Sequence, residues 1–404
     1  MSEEQVTSIY DSSDRGKKRL SLEEAILLSL EQNPTVKIGY TDVTENEGLL
    51  DSASGEFDLT TFSDITYSRQ RLPVVTASGS FPSNTEKSYQ YSLGLYRKLR
   101  NGILLSPQAA LVSTDDESSS VGSFGQSQLS MDVIIPLLRG FGNATAGALE
   151  NAQGAELMAS MALYQHILND QALVVLTAYW RLTAAEQRVN ILKDVEVRAL
   201  ELVKLVNGLV VSEIVERGTL SQVRANYNQQ RAAYLAAEAE LASAKYAFGF
   251  ALGLDVEKLL MPPLSATAFP DQTAFQVPDQ EKGLQYVRHA LNMRRDYVAL
   301  LFIEEATEIL LTAAKRDLLP KADLTLSGGY NGADRGEEPF DPLRNNLTGL
   351  NFTTSISMEW PWQNRVLRGE LRQRRSANEA AQLNSFQLSQ SIASDVLTAL
   401  EKTL

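Results

Sequence analysis

Two regions of the chain, about 56–136 and 321–361, alternate between apolar and polar residues. Successive side chains of a β-strand point to opposite faces of a sheet, so this pattern predicts antiparallel strands with one apolar face each. A water-soluble sandwich of two sheets would produce the same alternation, so the pattern alone does not identify a membrane sheet. The apolar positions are Phe57, Leu59, Ile65, Tyr67, Tyr89, Tyr91, Leu93, Leu95, Leu129, Met131, Val133, Ile135, Leu324, Leu326, Tyr330, Phe352, Ile356, Met358 and Trp360.

Aromatic residues gather near the predicted strand ends, where a membrane sheet carries its interfacial girdles. The candidates for a membrane-interface position are Tyr67, Tyr89, Tyr91, Tyr330, Phe352, Trp360 and Trp362.

The region from about 145 to 252 contains no proline and is rich in Ala, Leu, Gln, Glu and Arg, a composition that favours long helices. A glycine-containing patch from Gly208 to Gly218 interrupts it, so we predict a long helical hairpin with its tip there. The outgoing arm would reach roughly 90 Å, far more than a compact sandwich accommodates. The returning arm has an apolar stripe at near-heptad spacing, formed by Tyr227, Tyr234, Leu241, Phe248 and Leu252.

The order helix, strands, helix occurs twice along the chain. Leu22 and Asn33 find counterparts in Leu284 and Arg295 at a shift of 262, whereas the segment Met131–Pro136 matches 356–361 at a shift of 225. The difference means that the first copy carries 37 extra residues in its strand region, about one hairpin. The predicted domains are a disordered segment 1–20, a first repeat 21–254 (strands about 56–136, helical hairpin about 145–252), a linker 255–280, and a second, incomplete repeat 281–404 (strands about 321–361, first arm of a hairpin 364–404).

Charge and composition exclude several classes of function. The 404 residues carry a net charge of −13, which argues against nucleic acid as a partner. There is no cysteine, so disulfides, thiolate metal sites and cysteine nucleophiles are absent. No run approaches the length of a membrane-spanning helix, and no apolar run follows the N-terminal charges as in an export signal.

The sequence contains no complete catalytic or cofactor-binding motif. The only histidines, His166 and His289, lie in predicted helices in different repeats and are expected to have surface or packing roles. Gly142 and Gly147 have the spacing of a phosphate loop, but Ala148 stands where the loop needs lysine. We therefore expect no enzyme activity, no cofactor and no metal.

The arrangement resembles the outer-membrane efflux proteins typified by TolC. The matching residues are Leu22 to Ile26 with Asn33 and Pro34, Ile135 to Leu138 before a helix, and Trp360-Pro361-Trp362 before an Ala-rich helix. The segment between the long arms is similar to the family's glycine-led periplasmic tip. The candidates for tip and gate residues are Gly208, Leu209, Val210, Val211, Ser212 and Glu213.

The resemblance implies an α+β membrane protein: a homotrimer with a shared outer-membrane β-barrel and a periplasmic α-helical barrel. It implies a passive exit duct of a tripartite efflux or type I secretion system in Gram-negative bacteria. The implied partners are outer-membrane lipid, a periplasmic adaptor and an inner-membrane transporter, and docking of the adaptor and transporter would gate the duct. Since four to six strands cannot close a membrane barrel, a chain that spans the membrane must oligomerise.

Three features depart from the family's pattern. Ile214 stands where the tip usually has an acidic residue, which puts any ion-binding ring at the gate in doubt. The extra hairpin either joins the barrel or lies outside it. Mapping the first tip onto Pro361 places a second tip near position 433, so we expect the chain to be truncated.

The alternative function is a soluble coiled-coil scaffold or adaptor, whose strands would pack as a sandwich.

Overall fold

The structure is a computed structural model that describes residues 19–73, 83–116, 123–267, 269, 282–335 and 347–402. Its strands are β1 (Arg19–Leu20), β2 (Thr60–Pro73), β3 (Ser83–Lys98), β4 (Leu104–Asp116), β5 (Phe124–Pro136), β6 (Leu264–Ser265), β7 (Lys321–Arg335) and β8 (Leu347–Glu359). Its helices are α1 (Leu22–Gln32), α2 (Pro34–Ser54), α3 (Asn143–Ala146), α4 (Ala148–Val211), α5 (Arg217–Ala251), α6 (Val256–Leu259), α7 (Gly283–Met293), α8 (Arg295–Asp317) and α9 (Arg365–Lys402), with a 3-10 turn at Gly55–Phe57.

The chain divides into two compact units. The first comprises residues 1–43, 161–296 and 396–404, and the second comprises residues 44–160 and 297–395. The second unit contains a six-stranded sheet with the order β2-β3-β4-β5-β7-β8, in which all neighbours are antiparallel. Strands β2 and β8 are therefore the two edges of this sheet.

The sheet reproduces the internal repeat. Shifting β2 by 262 residues places it on β7, and shifting β5 by 225 residues places it on β8. The 37 extra residues of the first copy include β3 and β4, which lie between β2 and β5 in the sheet. The sequence left open where this hairpin goes, and its backbone hydrogen bonds place it inside the sheet. We call β3, β4 and their turn the inserted hairpin.

The long helical hairpin is present, but its break is shorter than the glycine patch suggested. Helix α4 continues through Gly208 to Val211, and α5 already includes Gly218, so only residues 212–216 are non-helical. A glycine inside a helix costs only about 1 kcal/mol, which the remaining residues of helices this long can offset. Of the apolar stripe, Phe248 and Leu252 are fully buried, whereas Tyr227 and Tyr234 are half-buried.

The core of the first unit joins α1 to the middle of α4 and the end of α5. Tyr179 and Phe248 form an edge-to-face pair with centroids 5.7 Å apart. Beside them, the carbonyl oxygen of Ala251 accepts hydrogen bonds from the side chains of Ser29, Asn33 and Gln171 at 2.7–3.0 Å. These donors leave that buried carbonyl fully satisfied at the end of α5, where the helix itself cannot supply a partner. The buried members of the core are Leu20, Ala25, Leu28, Val175, Tyr179, Leu182, Phe248, Ala251 and Leu252.

The turn after α5 requires glycine. Gly253 has a φ of +74°, and a Cβ at this position would lie 2.6 Å from the Cα of Asn33. Backbone atoms cannot move aside as a flexible side chain would, so any larger residue would separate this turn from the start of α2.

Parts of two predicted irregular segments are structured. Residues 1–18 of the predicted disordered segment lie outside the described residues, but Arg19 and Leu20 form β1. The predicted linker 255–280 contains α6 and β6, and its residues 268 and 270–280 lie outside the described residues. Strand β6 pairs in parallel with β1, and the Tyr179 hydroxyl donates to the Leu20 carbonyl and accepts from the Thr267 amide. This pairing joins Arg19 to Leu264, residues 245 positions apart, and no local sequence pattern predicts such a contact.

Candidate functional site

The six-stranded sheet has two chemically different faces. Paired residues of antiparallel strands point to the same side, so the register assigns every side chain to a face. One face, here called the apolar face, carries Ile65, Tyr67, Tyr89, Tyr91, Leu93, Leu95, Leu105, Leu111, Leu129, Met131, Val133, Leu324, Leu326, Tyr330, Leu350, Phe352, Ile356 and Met358. The other, here called the polar face, carries Asp64, Thr66, Gln90, Ser92, Ser106, Gln108, Gln126, Gln128, Ser130, Asp132, Thr325, Ser327, Asn331, Asn351, Thr353 and Ser355.

The apolar face is largely uncovered at the two edges of the sheet. Ile65 on β2 is 74% exposed, and Phe352, Ile356 and Met358 on β8 are 66–70% exposed. Within the described part of the chain, no second layer packs on these side chains. Large apolar side chains exposed side by side on one face mark an interaction surface.

Five of the seven aromatic candidates lie on the apolar face, and these five lie inside strands rather than at strand ends. Tyr67 and Tyr89 are cross-strand neighbours with ring centroids 4.9 Å apart, and β2 continues beyond Tyr67 to Pro73. Tyr330 and Phe352 also lie inside their strands, whereas Trp360 follows the last residue of β8. The strands of the six-stranded sheet have 13 to 16 residues, whereas a membrane-spanning strand needs about 9–11, so in a membrane sheet a girdle would fall inside strands of this length. Tyr91 lies within β3, and Trp362, beyond β8, is 98% exposed.

The turn of the inserted hairpin is held against neighbouring elements of its own unit. Arg100 makes a bidentate ion pair with Glu150 of α4, with nitrogen–oxygen distances of 2.6 and 2.7 Å, and its guanidinium lies 5.1 Å from the centroid of the Phe57 ring. These hydrogen bonds lower the pKa of the Glu150 carboxyl, and desolvation by burial opposes them. The amide of Gly142 donates to the carbonyl of Asn101 at 2.9 Å. No sequence pattern predicts this ion pair, because its partners are 50 residues apart and neither belongs to a motif.

The predicted tip residues occupy the end of α4. The Ile214 amide donates to the Leu209 carbonyl and the Glu213 amide donates to the Val210 carbonyl. Together these two bonds form a Schellman motif, which satisfies the last carbonyls of the helix. The motif requires a left-handed residue, and Glu213 occupies that position with a φ of +58°.

Glutamate at this position is unfavourable compared with glycine. A non-glycine residue in the left-handed region costs of order 1 kcal/mol, and such strain is more frequent at functional positions than elsewhere. The side chains of Val211 and Ile214 are 77% and 69% exposed beside Glu213, so the tip presents apolar and acidic groups together. Gly208 and Ser212 are also exposed, whereas Leu209 and Val210 are half-buried.

A carboxyl pair lies where α8 ends and α9 begins. Burial raises the pKa of Asp317, the nearby carboxylate of Glu370 raises it further, and Arg139 acts in the opposite direction. Since the charged form of Asp317 is disfavoured, this group weakens the fold at neutral pH rather than strengthening it.

Residues with possible chemical roles are not brought together. His289 is exposed, and His166 lies 4.0 Å from Asp296, which also pairs with Arg294. Gly142, in the phosphate-loop-like segment, has a φ of +86° and forms part of the turn from β5 into α3. The described residues contain no cluster of three or more His, Cys, Asp or Glu arranged to hold a metal ion. Among the described helices, none has a stretch long and apolar enough to cross a bilayer.

Solved structures with the same fold are outer-membrane channels. The outer-membrane channel OprN matches with a TM-score of 0.66 at 15% identity, over 96% of this chain and 77% of that one. The CmeC channel of Campylobacter jejuni gives 0.65 at 14% identity, over 97% and 75%. The MtrE channel of Neisseria gonorrhoeae, in its open state, gives 0.63 at 16% identity, over 97% and 77%. Neither the protein-family models nor the curated proteins gave a match. The predicted TolC-like resemblance is thus confirmed at the level of the fold.

Proposed function

We propose that this chain is one protomer of a trimeric channel in the outer membrane of a Gram-negative bacterium, acting as a passive exit duct. The observation that carries the proposal is the six-stranded sheet with an uncovered apolar face and a polar opposite face. In a closed ring of such sheets the apolar face meets lipid and the polar face lines water. The fold shared with outer-membrane channels supports this assignment.

The dimensions of the apolar face suit a bilayer. The apolar positions of β8 and the residue after it run from Leu350 to Trp360, a distance of about 33 Å along the strand and about 25 Å along the membrane normal at a tilt of about 40°. The apolar band of outer-membrane barrels is also about 25 Å tall. Trp360 and Tyr67 would then lie at opposite interfaces, where their amphipathic rings are stable.

The open edges of the sheet support assembly with further copies of the chain. Among the described residues, no strand lies beyond β2 or β8, and unpaired strand edges are not tolerated in lipid. Because β2 and β8 run antiparallel to each other, β8 of one copy can pair with β2 of the next. A ring of copies related by rotation removes every edge, and three is the number implied by the family resemblance.

The tip supports a role in docking. We propose that the segment from Gly208 to Glu213 contacts a periplasmic adaptor and contributes to a gate that opens when adaptor and transporter assemble. The exposed Val211 and Ile214 would supply buried area, and Glu213 would supply charge complementarity.

The scaffold alternative required a second layer on the apolar face, and the described residues provide none.

The proposal is tested by fractionation and electrophysiology. The protein should be found in outer-membrane fractions as a trimer that dissociates on heating in detergent, and purified trimers should conduct ions in planar bilayers. A protein isolated only as a soluble monomer would contradict the assignment. For the tip, Glu213→Gln should weaken adaptor binding while the trimer stays intact. Glu216→Gln, three residues away in the same loop, is the matched control.

A further inference from the structure

We propose that the inserted hairpin is a permanent part of the channel wall, so that each protomer contributes six strands and the trimer closes an 18-strand pore. The inference rests on the proposed function, since it requires a closed ring of three copies. It adds the size of the pore, which sets the width of the solutes that enter it.

Hydrogen bonding places the hairpin within the wall. Strand β3 pairs with β2 from Thr60–Tyr96 to Pro73–Ser83, and β4 pairs with β5 from Leu104–Ile134 to Thr114–Phe124. If the hairpin projected from the wall, β2 and β5 would pair with each other. Instead the two inserted strands separate them over their whole length.

The hairpin also has the same two faces as the rest of the sheet. Tyr89 and Leu93 share the apolar face with Leu129, whereas Gln90 and Ser92 share the polar face with Gln128. A hairpin surrounded by water would need no continuous apolar stripe on one side. The alternation is therefore the pattern expected of strands that separate lipid from an aqueous lumen.

The turn of the hairpin is fixed as well. Besides the ion pair of Arg100 with Glu150, Gly102 adopts a φ of +93° and approaches Gly140 so closely that a Cβ would lie 2.2 Å from its carbonyl oxygen. A detachable hairpin would not need backbone contact of this kind.

Strand number determines the width of the pore. Adding two strands keeps β5 antiparallel to the strand that precedes it, so the closure of β8 on a neighbouring β2 is unaffected. With strands about 4.8 Å apart and tilted by about 40°, 18 strands give a backbone diameter of about 36 Å, whereas 12 strands give about 24 Å. The cross-section of the outer pore therefore increases about twofold, in the range that leaves an open aqueous channel.

Single-cysteine scanning tests the assignment directly, because the chain has no cysteine of its own. Purified trimers carrying Gln90→Cys or Leu93→Cys are reconstituted in liposomes and labelled with a water-soluble maleimide. We expect the first variant to react at least about tenfold faster than the second, which faces lipid. Thr325→Cys and Leu326→Cys in β7 are the matched controls.

The β7 controls distinguish a failure of the inserted-hairpin inference from a failure of the proposed channel function. If the labelling rates differ between the two faces in β7 but not in β3, the inserted hairpin is not part of the channel wall, and the proposed channel function still stands. Equal, rapid labelling at all four positions would show that the sheet is not in a membrane, and the proposed function would then fail.

Deleting residues 83–119, the 37-residue insertion, provides a second measurement. Electron cryomicroscopy of the wild-type trimer should show a ring about 1.5 times as wide as that of the deletion variant. A wild-type ring of 12 strands with a hairpin outside it would overturn the inference. If the deletion variant does not fold, the number of strands in the wild-type ring still tests the inference.

Discussion

Two adjacent glycines of β7 should respond very differently to the same substitution. Gly329 lies on the polar face, where a Cβ would be 2.3 Å from the Leu129 carbonyl oxygen and 2.9 Å from the Cα of Ser130. Both of these atoms belong to the backbone of β5. A Cβ on Gly328, on the apolar face, would have the Asn351 carbonyl oxygen 4.0 Å away as its nearest neighbour. Comparing Gly329→Ala with Gly328→Ala therefore separates the effect of the close approach between β5 and β7 from the effects that any glycine-to-alanine substitution has in this strand.

The size of the expected destabilisation follows from how closely the added Cβ of Gly329→Ala would approach the backbone of β5. Ordinary Cβ contacts begin at 3.4 Å, so Gly329→Ala requires a shift of about 1 Å between two hydrogen-bonded backbones. Overpacking of this kind costs about 1–3 kcal/mol, and the upper end applies because no rotamer change can relieve it. Gly328→Ala makes no contact closer than an ordinary van der Waals contact and reduces the conformational entropy of the unfolded chain, so we expect a change of about 0.4–1 kcal/mol in the stabilising direction.

The assay is thermal dissociation of purified trimers in detergent, followed by mobility on a gel and by tryptophan fluorescence. Gly329→Ala should lower the transition temperature by several degrees and reduce trimer yield, whereas Gly328→Ala should match or exceed the wild type. Equal transition temperatures for the two variants would show that β5 and β7 do not approach each other as closely as described, and the register of their pairing would have to be revised.

Four further substitutions test individual contacts. Glu150→Gln should destabilise the protein at neutral pH. Because the pKa of Glu150 is lowered in the fold, the gap from wild type in thermal melting should close as the pH falls through that pKa. Asp317→Asn should raise the melting temperature at neutral pH, since the pKa of Asp317 is raised; this advantage should vanish under acidic conditions, where the carboxyl is already protonated. Gly253→Ala should lower trimer yield, whereas a stable variant with unchanged melting would contradict the close backbone contact after α5. Glu213→Gly should stabilise the tip by up to about 1 kcal/mol in urea unfolding, and a loss of stability would show that the left-handed assignment is wrong.

Periodicity alone predicted the elements that depend on local geometry. The alternation through Ile65 and Tyr67 identified β2, and the proline-free stretch identified the helical hairpin, since a side-chain period of two or 3.6 follows directly from backbone dihedral angles. The internal repeat located the inserted residues for the same reason: it compares one local pattern with another. None of these inferences required knowing which strand neighbours which.

Only the tertiary structure decided the contacts between distant residues. The placement of the inserted hairpin within the sheet, the ion pair of Arg100 with Glu150 and the parallel pairing of β1 with β6 all join residues far apart in sequence. Several partners satisfy the same alternation, and the choice among them depends on the free energy of the complete hydrogen-bonded sheet. The contrast between Gly328 and Gly329 has the same origin. The two residues are identical in the sequence and both pair with β5, and they differ because an added Cβ would meet the backbone of β5 only at Gly329.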